Sequence, residues 1–314
     1  MRVGLLTASL SSMPVEAVIA RVGSMGLAAV ELAAWPLPLQ RPFTAAHIGA
    51  DGSAASVERL RPLLDEHGVD VAALAYYDNP LHPDASTRAR VHEHLEAVIG
   101  LAAELGCRLV GTFVGRDPQR TVAENLADAE RIFPRFVEHA AERGVRLMIE
   151  NCPMHGWHPD GYPGNLAYSP ELWEWMEQLG LWLNFDPSHL PTLGIDPLRA
   201  LQSHLGRVVH VQAKDVVISS SARDRLSCHG QVLNRNDPWD TGWWSYRLPG
   251  EGEIDWTELL TTLSRAGFDG VVAIENEDLR GPGTPESILA GAERAAAFLN
   301  GVIAACDVPE PADD

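Results

Sequence analysis

The sequence has few cysteines and little positive charge. Its four cysteines, Cys107, Cys152, Cys228 and Cys306, show no CxxC spacing, which argues against a zinc knuckle or a disulfide framework. Reduced thiols are typical of the cytosol. Lys and Arg number 24 against 43 Asp and Glu, a formal net charge of −19. Nucleic-acid surfaces need basic side chains arrayed along phosphates, so no nucleic-acid partner is expected.

Several catalytic and targeting motifs are also missing. There is no GxSxG, HExxH or Walker motif, which removes serine hydrolase, zincin and P-loop chemistry. We find no signal peptide and no apolar run that approaches membrane-spanning length. The expectation is a cytoplasmic protein with no membrane partner. Whether it forms a homo-oligomer or takes a small partner subunit is left open.

Short β-rich runs alternate with longer amphipathic stretches along the whole chain, as in repeated βα units. Eight such units predict a single (β/α)8 TIM barrel; an open doubly wound sheet is the alternative. The Gly-rich phosphate fingerprint of that alternative is missing after the first strand. The predicted strands are Arg2–Thr7, Ala28–Leu32, Asp70–Ala75, Cys107–Phe113, Val145–Glu150, Leu181–Asp186, Arg207–Gln212 and Gly270–Glu275. The predicted helices are Pro14–Met25, Ala54–His67, Ser86–Leu105, Thr121–Arg143, Pro170–Gln178, Pro197–His204, Trp256–Ala266 and Glu286–Val302.

The barrel is expected to span residues 1–306, with a long insertion at about 216–252 after strand 7. The insertion carries Trp239, Trp243, Trp244 and Tyr246, so we predict that it packs as an aromatic lid over the mouth; long loops in compact domains are usually functional or disordered. Residues 307–314 are acidic and contain proline, which predicts a disordered tail. His92 and His94, on a predicted helix, are expected at the surface.

Polar residues end most of the predicted strands, where barrel enzymes carry their functional groups. The last four strands each end on an oxygen donor, namely Glu150, Asp186, Gln212 and Glu275. Burying three carboxylates together without a cation is costly, so we predict a divalent metal. Mn²⁺ or Mg²⁺ suits oxygen-rich ligands best, with Co²⁺ or Zn²⁺ as further candidates. The alternative is a set of hydrogen-bonded carboxylates with no metal.

Residue parity orients the seventh strand. His210, Gln212 and Lys214 share one parity and the valines at 209 and 211 the other, which predicts that the polar set faces the barrel interior and the valines face the helices. Either His210 or Gln212 could complete a metal site. His189, three residues after Asp186, is a candidate for binding a substrate oxygen.

At these residues the sequence resembles the xylose-isomerase-like barrel superfamily, usually labelled sugar phosphate isomerases/epimerases. The matching blocks cover 147–154, 184–190, 210–215, 243–250 and 273–278. The resemblance implies metal ligands at Glu150, Asp186, position 212 and Glu275. Most relatives have histidine in an HxHxKD pattern at the third ligand; here His-Val-Gln places Gln212 there, with His210 as a possible substitute ligand. Dehydroshikimate dehydratases look similar in having glutamine.

The expected activity is proton abstraction next to the carbonyl of a keto sugar or sugar derivative, through an enediolate, in a metal-dependent isomerase or epimerase. Glu150, Glu275 and His189 are the predicted catalytic residues. The alternative is a lyase that shares the first step, either a dehydratase or a β-eliminase of 3-keto-glycosides and C-glycosides. A repair endonuclease and a non-catalytic sugar-binding barrel are further rivals. The predicted substrate-binding residues are His155, Trp157, His189, Lys214 and Trp244.

Overall fold

Eight parallel strands close into a barrel, so the predicted fold is confirmed and the open sheet is wrong. The computed structural model describes residues 1–39, 41–49, 54–228 and 240–306. Around the barrel the strand order is β1-β10-β7-β6-β5-β4-β3-β2. The barrel strands are β1 Arg2–Leu6, β2 Ala29–Ala33, β3 Asp70–Ala75, β4 Leu109–Thr112, β5 Arg146–Glu150, β6 Trp182–Phe185, β7 Val208–Ala213 and β10 Val271–Ile274.

Helices connect and surround these strands, and their ends are fixed by local capping. The helices are α1 Val15–Ser24, α2 Ala54–His67, α3 Ala85–Leu105, α4 Val122–Ala141, α5 Pro170–Gln178, α6 His189–Thr192, α7 Pro197–His204, α8 Ser220–Leu226, α9 Trp256–Arg265 and α10 Pro285–Cys306. Thr121 and Glu124 form a reciprocal capping box at the start of α4, which satisfies backbone donors that the helix leaves unpaired. Gly106 ends α3 with φ of 76°, a conformation that glycine adopts without strain.

The main hydrophobic core lies between the strands and the helices, while the inside of the barrel is mixed. Val211 belongs to the outer core, as parity predicts. Val209 instead packs with Met148 and Trp182, and Met148 faces inward because it lies two residues before Glu150. The register of β6 and β7 shifts between Leu183 and Asn184. Such a bulge breaks strict alternation, so the prediction for Val209 is wrong.

The insertion after β7 contains regular structure that the sequence did not predict. Strands β8, Asp215–Ile218, and β9, Trp244–Arg247, pair as an antiparallel hairpin, and α8 follows β8. Asp215 fixes the segment that follows β9. Its carboxylate accepts hydrogen bonds from the backbone N–H groups of Gly250 and Ile254 and from Nε1 of Trp256. The predicted lid residue Trp239 and the tail 307–314 lie outside the described residues.

One expectation about the helices needs correction. His92 and His94 are half-buried and bond through Nε2 to the carbonyl oxygens of Pro80 and Ala34, so neither is a free surface group. By length and composition alone, α10 could cross a membrane, with a mean hydropathy of 1.3, because alanine dominates it. A core helix of a soluble protein passes the same test, and α10 packs Leu289 and Leu299 into the core.

Candidate active site

Three carboxylates meet at the carboxyl-terminal mouth of the barrel. Glu150 ends β5, Asp186 follows β6 and Glu275 follows β10, and all three are buried. One oxygen of each lies within 4.8 Å of the others. Negative charges this close, and out of water, need positive charge beside them. We call these three residues the acidic cluster.

Part of that positive charge comes from Lys214, the single lysine in the sequence. Its Nζ lies 3.2 Å from Oδ2 of Asp186, 2.9 Å from Oε2 of Glu275 and 3.1 Å from Oε2 of Glu277. Burial alone lowers the pKa of Lys214, but the charges of Glu275 and Glu277 raise it well above its usual value. The ammonium therefore stays charged, and a metal ion is one of two ways to balance the cluster.

His189 supplies a second partner on the other side of the acidic cluster. Its Nε2 lies 3.1 Å from Oε1 of Glu150 and 3.1 Å from Oδ2 of Asp186. The Tyr246 hydroxyl, from β9, lies 2.9 Å from Nδ1 of the same ring. Both ring nitrogens of His189 thus have polar partners, which fixes the plane of the ring.

Burial and the neighbouring charges shift the pKa values of the three carboxylates in different directions. Burial raises the pKa of Glu150, and it raises the pKa of Glu275 well above the ordinary value. Burial acts in the same direction on Asp186, but the positive charges of His189 and Lys214 overcome it and hold the pKa of Asp186 below its usual value. The cluster therefore contains one carboxylate that stays ionised and two that can take up a proton.

A side-chain amide connects the ends of β5 and β6 and sets the position of Asp186. Oδ1 of Asn151 accepts from the backbone N–H of Asp186 at 2.7 Å, and Nδ2 of Asn151 donates to the backbone carbonyl oxygen of Asp186 at 2.8 Å. The backbone N–H of Ser188 donates to Oδ1 of Asp186. Its Oδ2 faces the cluster, 3.1 Å from Nε2 of His189 and 3.2 Å from Nζ of Lys214. That oxygen, buried next to two other carboxylates, fits a divalent cation.

Gln212 and His210 lie on the inside of the barrel, as parity predicts, and both contact Glu31. Nε2 of His210 lies 3.0 Å from Oε2 of Glu31, and Nε2 of Gln212 lies 3.2 Å from the same oxygen. Oε1 of Gln212 has no hydrogen bond within the described ranges. The assignment of Gln212 as third ligand, with His210 as the substitute, stays a prediction.

The aromatic residues and His155 lie on loops around the mouth. His155 and Trp157 form a short 3-10 helix after β5, and Nδ1 of His155 bonds to the carbonyl oxygen of Gly161. The Arg41 guanidinium lies 5.1 Å from the Trp157 ring centroid. Trp244 begins β9, with its ring 4.8 Å from that of Tyr246. Their roles in substrate binding, like that of Lys214, stay predictions.

Sequence reasoning overlooked four residues that contact the predicted site. Glu31 falls within the predicted strand Ala28–Leu32 and Tyr246 within the predicted lid, but neither was given a role in the site, and Tyr77 and Glu277 were not singled out at all. Glu31 is the one charged residue in an otherwise apolar strand, which was a usable signal. The other three could not be assigned, since their contacts depend on how distant strands meet.

Comparisons with known proteins agree with the barrel fold and identify its family. The family described as xylose isomerase-like TIM barrel matches residues 19–300. The rhizopine catabolism protein MocC of Rhizobium meliloti is 31% identical over 69% of this chain and 66% of its own. An inosose dehydratase of Clostridium perfringens is 29% identical over 44% of this chain and 42% of its own.

Solved structures extend the likeness to the whole fold. A D-psicose 3-epimerase determined in the presence of D-fructose superimposes with a TM-score of 0.69 at 17% identity, over 96% of this chain and 99% of its own. The probable 3-DHS dehydratase AsbF of Bacillus anthracis gives a TM-score of 0.66 at 16% identity, over 95% and 99%. At such identities the match shows the barrel, and activity must be argued from the site.

Proposed function

Because the chain belongs to the xylose isomerase-like TIM barrel family, we propose that it is a divalent-metal-dependent isomerase or epimerase of a keto sugar or a related keto-polyol. The reaction is proton transfer at a carbon next to a carbonyl. The observation that carries the proposal is the acidic cluster, three buried carboxylates whose oxygens lie within 4.8 Å of one another at the mouth of the barrel.

The proposed metal ligands are Glu150, Asp186 and Glu275, with the amide oxygen of Gln212 as the fourth. The first three offer oxygens within 4.8 Å of one another, and hard or borderline ions such as Mn²⁺ or Mg²⁺ prefer such donors. A bound divalent ion supplies Lewis-acid polarisation of the substrate carbonyl. Lys214 already contacts two of these carboxylates, so the ion and the ammonium share the negative charge of the site.

Glu150 and Glu275 are the proposed acid and base. They come from β5 and β10, which are separated in the barrel by β6 and β7, so they approach a substrate from different sides. In the metal-free site burial raises the pKa of both, and a divalent ion bound by the same carboxylates would act in the opposite direction. Return of the proton to the opposite face gives an epimer, and return to the adjacent carbon gives an isomer.

A lyase is the second candidate, and the His189–Tyr246 contact favours it. The Tyr246 hydroxyl lies 2.9 Å from Nδ1 of His189, and this pair could protonate a leaving oxygen after the same first step. The similarity to a protein named inosose dehydratase also supports elimination of water from a keto-cyclitol. Gln212 in place of the usual histidine is a further argument, since the dehydroshikimate dehydratases that the sequence resembles share it.

Proton exchange in heavy water tests the proposal. The Mn²⁺-loaded protein is incubated in D2O with a ketohexose, a keto-inositol and a 3-keto-glycoside, and products are analysed by NMR. We expect deuterium at the carbon next to the carbonyl, and we expect Glu150→Gln and Glu275→Gln to abolish its incorporation. Glu177→Gln, on an exposed carboxylate, is the matched control and should exchange like the parent.

The products separate the two candidates. A C-2 or C-3 epimer, or an isomeric sugar, identifies an isomerase or epimerase. Loss of water or release of an aglycone identifies a lyase. Turnover of any of these substrates without deuterium in the product would contradict proton transfer next to the carbonyl and therefore both candidates.

A further inference from the structure

A second buried carboxylate, Glu31, lies inside the barrel beside the acidic cluster and has no part in the proposed reaction. It is the central residue of β2 and is fully buried. Tyr77 donates its hydroxyl hydrogen to Oε1, and Oε2 accepts from Nε2 of His210 at 3.0 Å. Nε2 of Gln212 lies 3.3 Å from Oε1 and 3.2 Å from Oε2. Three donors from β7 and the end of β3 therefore converge on two oxygens.

The hydrogen-bond roles in this network are determined by the number of available protons. Tyr77 has a single hydroxyl hydrogen, which goes to Glu31, so its oxygen accepts from Nδ2 of Asn184 at 2.8 Å and Nε2 of Gln212 at 3.3 Å. Both amides must therefore direct nitrogen at the network. Reversing the Gln212 amide would bring its oxygen against the carboxylate of Glu31 and leave three oxygens facing one another.

The consequence is a pair of buried amide oxygens without partners. Oε1 of Gln212 and Oδ1 of Asn184 have no hydrogen bond among the residues described. Buried polar atoms are normally paired, and exceptions need an explanation. Asn184 pairs with His210 in the β6–β7 register. Extending that register by two residues sets Asp186 level with Gln212, so these two side chains leave neighbouring strands at the same height.

We propose that Glu31 is a positioning residue that, together with Tyr77, orients the Gln212 amide so that its oxygen and not its nitrogen is presented to a divalent cation. The inference rests on the proposed metal site. It explains how glutamine can stand where most relatives have histidine: an amide offers an acceptor at one end and a donor at the other, so its orientation must be imposed. Residues that hydrogen-bond to a metal ligand and fix its orientation commonly have a strong effect on the affinity for the metal.

Mn²⁺ binding to the full-length apo-protein, measured by EPR of the free ion, tests this without reference to activity. Glu31→Gln replaces the accept-only carboxylate by an amide that can face Gln212 with either end. We expect its Kd for Mn²⁺ to rise about 10- to 100-fold. Tyr77→Phe, which removes the hydroxyl but keeps Glu31, should raise the Kd in the same direction and carries the test if Glu31→Gln does not fold.

A double-mutant cycle shows whether Glu31 acts through Gln212. In a Gln212→Ala background, Glu31→Gln should have no further effect on the Kd, because the ligand that it orients is absent. Thr7→Val is the control for general loss of a buried polar contact: Thr7 is buried and bonds to His47 and to the backbone of Ala33. It should lower thermal stability and leave the Kd unchanged.

The outcomes separate this inference from the proposed function. Parental affinity for Mn²⁺ in both Glu31→Gln and Tyr77→Phe overturns the positioning role and leaves the metal site intact. Additive losses in the cycle overturn the route through Gln212. A parent protein that does not bind Mn²⁺ at all overturns the metal site and the positioning role together.

Discussion

The hydroxyl of Tyr246 lies 2.9 Å from Nδ1 of His189. The two residues are 57 positions apart in the chain, one on the inserted hairpin and one directly after β6. The opposite nitrogen of His189 faces Glu150 and Asp186. The insertion therefore reaches the acidic cluster through Tyr246, whose hydroxyl contacts His189 and whose ring centroid lies 4.5 Å from the Lys214 ammonium.

Replacing Tyr246 by phenylalanine tests whether this contact matters for turnover. We expect kcat to fall by about 10-fold or more, since positioned proton-transfer groups typically contribute ~10²–10⁴-fold, with little change in Mn²⁺ affinity. Steady-state kinetics on the substrate identified by deuterium exchange measures it. Tyr162→Phe, on an exposed tyrosine, is the control. An unchanged kcat in Tyr246→Phe would show that the hairpin serves only as a cover.

Lys214→Met tests what balances the negative charge of the acidic cluster when no metal is bound. The change removes the cation that contacts Asp186, Glu275 and Glu277. Breaking a buried ion pair from one side typically costs about 3–5 kcal/mol, so the metal-free variant should lose free energy of unfolding of that order. Added Mn²⁺ should then raise the melting temperature of Lys214→Met more than that of the parent.

The matched control for this prediction is Lys214→Arg, which keeps the positive charge. Its metal-free stability should lie closer to the parent than that of Lys214→Met. Equal stability of the parent and Lys214→Met without metal would refute the idea that the ammonium balances the three carboxylates.

Gly111 on β4, the strand next to β3, permits a further test of the network. A Cβ at this position would collide with the Tyr77 hydroxyl. Gly111→Ala should therefore displace the tyrosine and destabilise the protein by about 1–3 kcal/mol, as overpacking commonly does. Gly100→Ala, in α3 with nothing near the added methyl, should instead stabilise by about 0.5–1 kcal/mol. Urea denaturation measures both, and equal effects would contradict the prediction.

Because His94 is half-buried, we expect the protein to lose stability in mild acid. Burial lowers the pKa of His94 below its usual 6.5, because the folded state disfavours the charged ring. The unfolded chain therefore binds the proton more readily, and stability falls as the pH drops below 6.5 towards the folded-state pKa; a difference of one in pKa corresponds to about 1.4 kcal/mol.

His94→Gln provides the comparison, because the amide can still donate to the carbonyl oxygen of Ala34 and does not titrate. Its free energy of unfolding should decrease less between about pH 7.5 and about pH 5.5 than that of the parent. The difference between the two slopes isolates His94 from the carboxylates, and identical slopes would contradict its assignment.

Much of the scaffold could be predicted because its signals are local. The predicted limits of Asp70–Ala75 and Pro170–Gln178 match the structure, since a short apolar run and a first-turn proline depend only on neighbours in sequence. The hairpin of β8 and β9 was missed because its pairing joins residues about 30 positions apart, with a long segment between them.

The sequence by itself determined eight βα units, and it determined that Glu150, Asp186 and Glu275 end strands whose carboxyl ends must meet in a barrel. Only the tertiary structure decided which neighbours these groups have. Strand order and the bulge opposite Val209 bring Glu31 and Tyr77 to Gln212, and the hairpin brings Tyr246 to His189. Periodicity gives the face of each residue, whereas contacts between distant strands follow from register and closure, which local pattern does not encode.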